Sequence, residues 1–96
     1  MNDLPTTRVI SIDGTRIRSL ADAHETLARG LKLPSHYGRN LDALFDCLTT
    51  EVPGPLVIEW HSSIATMKAL ALDFDRLRKT MEDAARSRAD LAVAFL

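Results

Sequence analysis

One cysteine, Cys47, is present, so no internal disulfide can form, and a reducing, cytoplasmic setting is the expected one. The three histidines, His24, His36 and His61, are scattered, and no CxxC, HExxH or calcium-loop spacing occurs. No metal or other cofactor is therefore expected. There is no Gly-x-Ser-x-Gly elbow for a nucleophilic serine, and no glycine-rich phosphate cradle between the first strand-like and helix-like segments. No run reaches the roughly 18 apolar residues of a membrane span. Met1 to Pro5 carry neither a basic cluster nor an apolar stretch, so no secretory signal is expected. Neither sign of charge prevails: the net charge is −1, which speaks against non-specific nucleic-acid binding.

What remains is the composition of an ordinary soluble globule, 46% hydrophobic and 26% charged over 96 residues. That is enough for one core and a single domain spanning residues 1–96. Residues 1–7 read as a short flexible lead. Arg8–Asp13 alternates around β-branched residues and ends in Asp13-Gly14, a turn signal; residues 15–18 suit either the return arm of a hairpin or a loop. Ser19 with Asp22 starts a helix in the manner of a capping box. Its stripe is Leu20, Ala23, Leu27, Ala28 and Leu31, with His24 beside it as a packing histidine, and Pro34 stops it. Pro53-Gly54-Pro55 breaks a second helix, and Gly54-Pro55 is a candidate cis bond. Leu56–Trp60 reads as a central strand, with Glu59 its odd charge. Ser62 or Ser63 is placed to cap a short helix with the stripe Ile64, Met67 and Leu70 or Ala71. Asp73 is placed to cap a longer one with the stripe Phe74, Leu77, Met81, Ala84 and Ala85. Leu91–Leu96 is the last strand. The order β, α, α, β, α, α, β predicts an α/β fold: a three-stranded parallel sheet with helices packed mainly on one face.

The second helix is the odd element. From Asn40, a good N-cap, Leu41, Leu44, Phe45 and Leu48 fall at helical spacing on one stripe. Asp42 and Asp46 sit four apart on another face, with Thr49 three further on. Like charges so spaced cost an isolated helix a few tenths of a kcal/mol, so a role outside the helix is the natural reading. Between residues 34 and 60 the carboxylates Asp42, Asp46, Glu51 and Glu59 stand against Arg39 alone. An acidic surface there suits a basic partner, and Arg39, three residues before Asp42, is placed to shield it. Asp42, close to the helix start, also favours the macrodipole; Asp46, a turn deeper, has less structural reason to be there.

Three classes of function compete for these residues. A hydrolase built on Asp42, Asp46 and His36 would need perturbed carboxylates, whereas such pairs on an exposed helix are usually solvated. A nucleic-acid surface would need an uncancelled basic stripe, but Asp73, Asp75, Glu82, Asp83 and Asp90 offset Arg76, Arg78, Lys79, Arg86 and Arg88. A protein-binding module gains most, because desolvated carboxylates form charge-assisted bonds to Arg and Lys.

The run from Pro34-Ser-His-Tyr-Gly-Arg-Asn-Leu-Asp-Ala-Leu-Phe-Asp-Cys-Leu to Thr49, continued by Pro55–Trp60, resembles the barstar family, intracellular inhibitors of the extracellular ribonuclease barnase. The similarity covers about residues 8 to 96 and weakens from His61 to Asp90. It implies a parallel three-stranded sheet and a loop, not a hairpin, at residues 15–18. It also implies a monomeric, non-enzymatic inhibitor whose acidic helix and preceding loop plug a ribonuclease active site in place of RNA phosphates. Asp46 matches the family's central carboxylate and Asp42 a second acidic contact. Gly38, Asn40, Leu41 and Thr49 match positions along the same interface, and Asp83 a further acidic contact on the last long helix. His36, Phe45 and Glu51 stand where the family has aromatic residues, so the implied partner is a basic secreted ribonuclease or related toxin domain. The alternative is a regulatory module using the same face for a partner that is not a nuclease.

Overall fold

The computed structural model describes residues 6–96; residues 1–5, most of the expected lead, lie outside the described residues, and Thr6 and Thr7 are exposed. Strands β1 (Arg8–Asp13), β2 (Leu56–His61) and β3 (Leu91–Phe95) lie side by side in that order, all parallel. The register sets Ile10 beside Ile58 and Ile58 beside Val93, then Ile12 beside Trp60 and Trp60 beside Phe95. Side chains alternate faces along a strand, so these rows share one face. Ile12, Ile58 and Trp60 are buried there, while Val9, Ser11 and Ala92 on the other face are exposed. Helices α1 (Leu20–Leu31) and α2 (Leu41–Asp46) carry the chain from β1 to β2, and α3 (Ser63–Leu70) and α4 (Leu72–Arg86) from β2 to β3. Crossovers of one hand that step the same way across a sheet land on the same face. The expected architecture is the observed one. No helix among the described residues is long and apolar enough to cross a membrane.

Residues 15–18 make no hairpin arm. Asp13 accepts from the Thr15 N–H at 3.0 Å, a short 3-10 turn follows at Gly14–Arg16, and Ile17 drops into the core. Ser19 caps α1 by accepting from the Asp22 N–H at 3.0 Å, and Lys32, in the left-handed conformation, ends it. The Gly54-Pro55 bond is cis.

Three helix readings change: Ser62 holds the N-cap position of α3, but its side chain makes no capping hydrogen bond. In α3 two residues of the expected stripe face water, Ile64 at 63% and Met67 at 46% exposure, while Leu70 is buried as expected, together with Ser63 and Thr66. The α4 cap is Ala71, at φ 52°, and not Asp73, because α4 begins as soon as α3 ends; Asp73 lies in its first turn. The α4 stripe is otherwise as expected, with Phe74, Leu77, Met81 and Ala84 buried and Ala85 partly so. Phe74 packs 5.4 Å from Trp60, ring centre to ring centre, and 5.8 Å from Phe95.

Burial of Thr66 has a cause that apolar spacing cannot register. Its hydroxyl accepts from the Trp60 Nε1–H at 3.0 Å and donates to the Gly14 carbonyl at 2.9 Å. One side chain thus satisfies a buried indole and a buried backbone oxygen, tying α3 to β2 and to the turn after β1. Gly14 allows the approach: a Cβ there would overlap the His61 and Ser62 carbonyls. Thr66→Val keeps the shape and leaves both partners unsatisfied, so stability should fall by about 2–3 kcal/mol. Urea unfolding followed by Trp60 fluorescence checks this, with the midpoint lowered and the m value unchanged.

Candidate functional site

The approach to α2 is anchored before the helix begins. Pro34 accepts from the Tyr37 N–H at 2.9 Å, so the turn centres on Ser35-His36 and leaves His36 exposed. Tyr37 points inward, 5% exposed, with its hydroxyl 2.5 Å from His24 Nδ1 on α1. Burial pushes the Tyr37 phenol up to about 12. His24 Nε2 is buried with no hydrogen-bond partner among the described residues. Burial, and then the charge of Arg39, hold the imidazole below its ordinary 6.5.

Arg39 adopts a left-handed backbone, φ 53°, at a cost of about 1–2 kcal/mol for a residue with a Cβ. Its guanidinium donates to Glu25 on α1 at 2.7 Å. It does not shield Asp42, as its spacing predicts, because the left-handed turn sends the side chain toward α1. The pair is half exposed, so it contributes under about 1 kcal/mol; its larger effect is to hold a cation off the acidic face. Asn40 then caps α2, accepting from the Ala43 N–H at 2.8 Å.

Leu44 in α2 and Leu48 just beyond it are fully buried, and Leu41 and Phe45 are half-buried against the core. Asp42 and Asp46 consequently project into water. The helix then widens into a π turn at Cys47–Glu51, closed by the Val52 N–H donating to the Cys47 carbonyl at 2.9 Å. The Thr49 hydroxyl bonds back to the Phe45 carbonyl at 2.8 Å, and the Thr50 hydroxyl to the Asp46 carbonyl at 2.6 Å. The hydroxyl of Thr49 is thus engaged within its own helix. Such wide turns are often found at functional sites.

Of the residues singled out by sequence, His36, Gly38, Asp46 and Glu51 meet around one pocket of about 150 Å³ between the loop and α2, with Tyr37 and Cys47 also lining it. Asp42 lies outside it, one turn nearer the helix start. Asp83, on the helix against which α2 packs, is paired with Lys79 at 3.2 Å and with Arg86, and the Lys79 bond in particular holds its carboxyl below the usual range. Cys47 is buried, and burial, then the nearby charges of Glu51 and Asp46, push its thiol up. It is a packing residue and not a nucleophile. Among the described residues no three His, Cys, Asp or Glu side chains are grouped to hold a metal ion.

A model of the family described as Barstar (barnase inhibitor) matches residues 7–96. The chain belongs to the barstar family. A Bacillus subtilis (strain 168) protein named "Putative ribonuclease inhibitor YrdF" is 47% identical to it over 51 residues, 53% of this chain and 56% of that protein. The match thus spans little more than half of that curated relative. The family is described by an inhibitor, and the curated relative is named as one.

The His24–Tyr37 anchor gives this barstar-family chain a pH dependence of known sign. The unfolded chain takes up a proton near pH 6.5 that folded His24 resists. Stability should be full above that pH and decline as pH falls through it toward about 5, before most carboxylates titrate. Urea midpoints measured across this range should fall for the natural chain and vary less for His24→Gln.

Proposed function

We propose that the chain is a stoichiometric ribonuclease inhibitor that binds a basic, barnase-like secreted ribonuclease or a related toxin domain. The reading has the acidic face of α2 and the preceding loop cover the enzyme's active site, with carboxylates in the place of RNA phosphates. The observation that carries it, within a barstar-family chain, is Asp46 at the pocket between loop and α2, on a helix whose other side is locked into the core. Preorganisation of this kind raises affinity by lowering the ordering cost of binding. Asp46 is the central contact and Asp42 the second; Gly38, Asn40, Leu41 and Thr49 shape the surface between them. His36, Phe45 and Glu51 tune the partner choice. Asp83 joins only by exchanging Lys79 and Arg86 for cations of the enzyme. The inhibitor acts as a monomer, one to one, in the cytoplasm, on a single domain spanning residues 1–96.

The direct test is inhibition of a panel of barnase-type ribonucleases, including one encoded by the same source; failure to bind any of them at equimolar excess overturns the reading. Asp46→Ala should weaken the complex by at least about 2 kcal/mol, roughly thirtyfold, the size of an interface hot spot, for which the barnase–barstar pair is itself a reference case. Glu59→Ala, on the open sheet face, should leave affinity within about twofold. Equal losses would remove Asp46 from its role. Stopped-flow association rates should fall as salt rises, because oppositely charged faces steer one another.

A further inference from the structure

The wide turn that follows α2 is held from elsewhere in the chain. Arg88, between α4 and β3, is only 15% exposed along its side chain. Its Nη1 donates to the carbonyls of Leu48 at 2.8 Å and Val52 at 2.7 Å, while Nε and Nη2 take the two oxygens of Asp90 at 2.8 and 2.9 Å. The chain leaves the helix at Val52, so carbonyls here lack an intrahelical donor; the guanidinium supplies one, with a positive charge suited to a helix C-terminus. Gly54 lets the loop close over this clamp, since a Cβ there would overlap the Asp90 carboxylate.

The width of the turn decides where Glu51 points. In an uninterrupted α-helix residue 51 lies about 140° around the axis from residue 46; closure at i→i+5 swings it back toward the same side. Asp46 and Glu51 do line the same pocket, with His36, and both carboxylates act on the Cys47 thiol.

We propose that Arg88 is a positioning residue of the binding face: by clamping the π turn it holds Glu51 beside Asp46, so that the pocket between loop and α2 receives a guanidinium or ammonium group of the partner on two carboxylates. This deepens the inhibitor reading and rests on it. Arg88 never touches the partner. Its cation is itself of the wrong sign for a basic enzyme, so the two accounts of Arg88 predict opposite results. If it acted only as a charge, Arg88→Met would tighten the complex; as a clamp, its loss weakens it.

The experiment uses a ribonuclease that the natural chain inhibits and measures dissociation rates for Arg88→Met, Glu51→Gln and the double variant. Each single change should speed dissociation about tenfold, and the double change no more than either alone, because both remove the same contact. Arg88→Lys should recover less than half of the loss on a logarithmic scale, since an ammonium cannot serve the two carbonyls and Asp90 in one plane. Unchanged or slower dissociation in Arg88→Met, or additive losses, overturns the proposal. Should Arg88→Met fail to fold, Asp90→Asn loosens the clamp and must show a smaller loss that is likewise non-additive with Glu51→Gln. If no ribonuclease binds the natural chain, the inhibitor reading is what fails. The clamp is then judged by hydrogen exchange in the free protein: Arg88→Met, or Asp90→Asn in its stead, should quicken exchange of the Val52 amide but not of α1, and equal protection refutes it.

Discussion

A helix that must lay Leu44 and Leu48 into a core has no choice about where its carboxylates go. That constraint orders the rest of this small protein. A three-stranded parallel sheet has one face to bury here, and same-handed crossovers put every helix on it. α2 and the turn that continues it reach the core through two fully buried leucines, with Leu41 and Phe45 half-buried beside them. Once these are seated, Asp42 and Asp46 face water whatever else the chain does. The repulsion between them costs a few tenths of a kcal/mol, whereas burying two leucines contributes several kcal/mol, so the core decides the orientation and the acidic face follows from it.

The loop ahead of α2 is held by a different balance. Its inward anchor, the Tyr37 hydroxyl on His24, lies in a buried setting that leaves the other imidazole nitrogen without a partner among the described residues. An unpaired buried nitrogen costs free energy, and protonation of the ring would place a second N–H where none of the described residues offers an acceptor. Outward, the left-handed Arg39 adds backbone strain that its half-exposed pair with Glu25 does not repay. Strain kept at such a place is characteristic of binding segments, where surrounding structure over-determines the conformation. The result is a loop already in one shape before any partner arrives.

The parts that sequence made legible are those governed by local spacing. The β/α order, the bounds of α1, the Asn40 cap and the outward Asp42 and Asp46 all follow from periodicity and capping chemistry. The apolar stripe of α3 misled because Thr66 is buried for its hydrogen bonds, not for its apolar area, and Ile64 and Met67 were left outside in exchange. The start of α4 shifted because α3 runs straight into it through Ala71. Arg39 stands three residues before Asp42, yet its partner lies 14 residues back, and Arg88 reaches 40 and 36 residues back to the carbonyls it caps. Spacing along one helix carries no information about such pairings. For the wide turn the local hint was Thr49-Thr50, two hydroxyls able to bond back to helix carbonyls and loosen the ladder.

What makes the α2 face distinctive is therefore which carboxylates the fold leaves without a cation, and not how many acids the chain has. Asp13, Glu25, Glu82, Asp83 and Asp90 each face an arginine or lysine of the chain itself, and Glu59 faces His61. Asp22 sits in the first turn of α1, and Asp73 and Asp75 in that of α4, where the macrodipole favours them. Among the described residues Asp42, Asp46 and Glu51 form no ion pair, and Arg39 and Arg88 are engaged elsewhere: Arg39 with Glu25, and Arg88 with the carbonyls behind the turn. A cation-bearing partner then meets carboxylates that surrender only water. On the proposed inhibitor reading, binding at Asp83 would first have to break two intramolecular pairs, which puts the energetic centre of the face at Asp46 and the rim at α4.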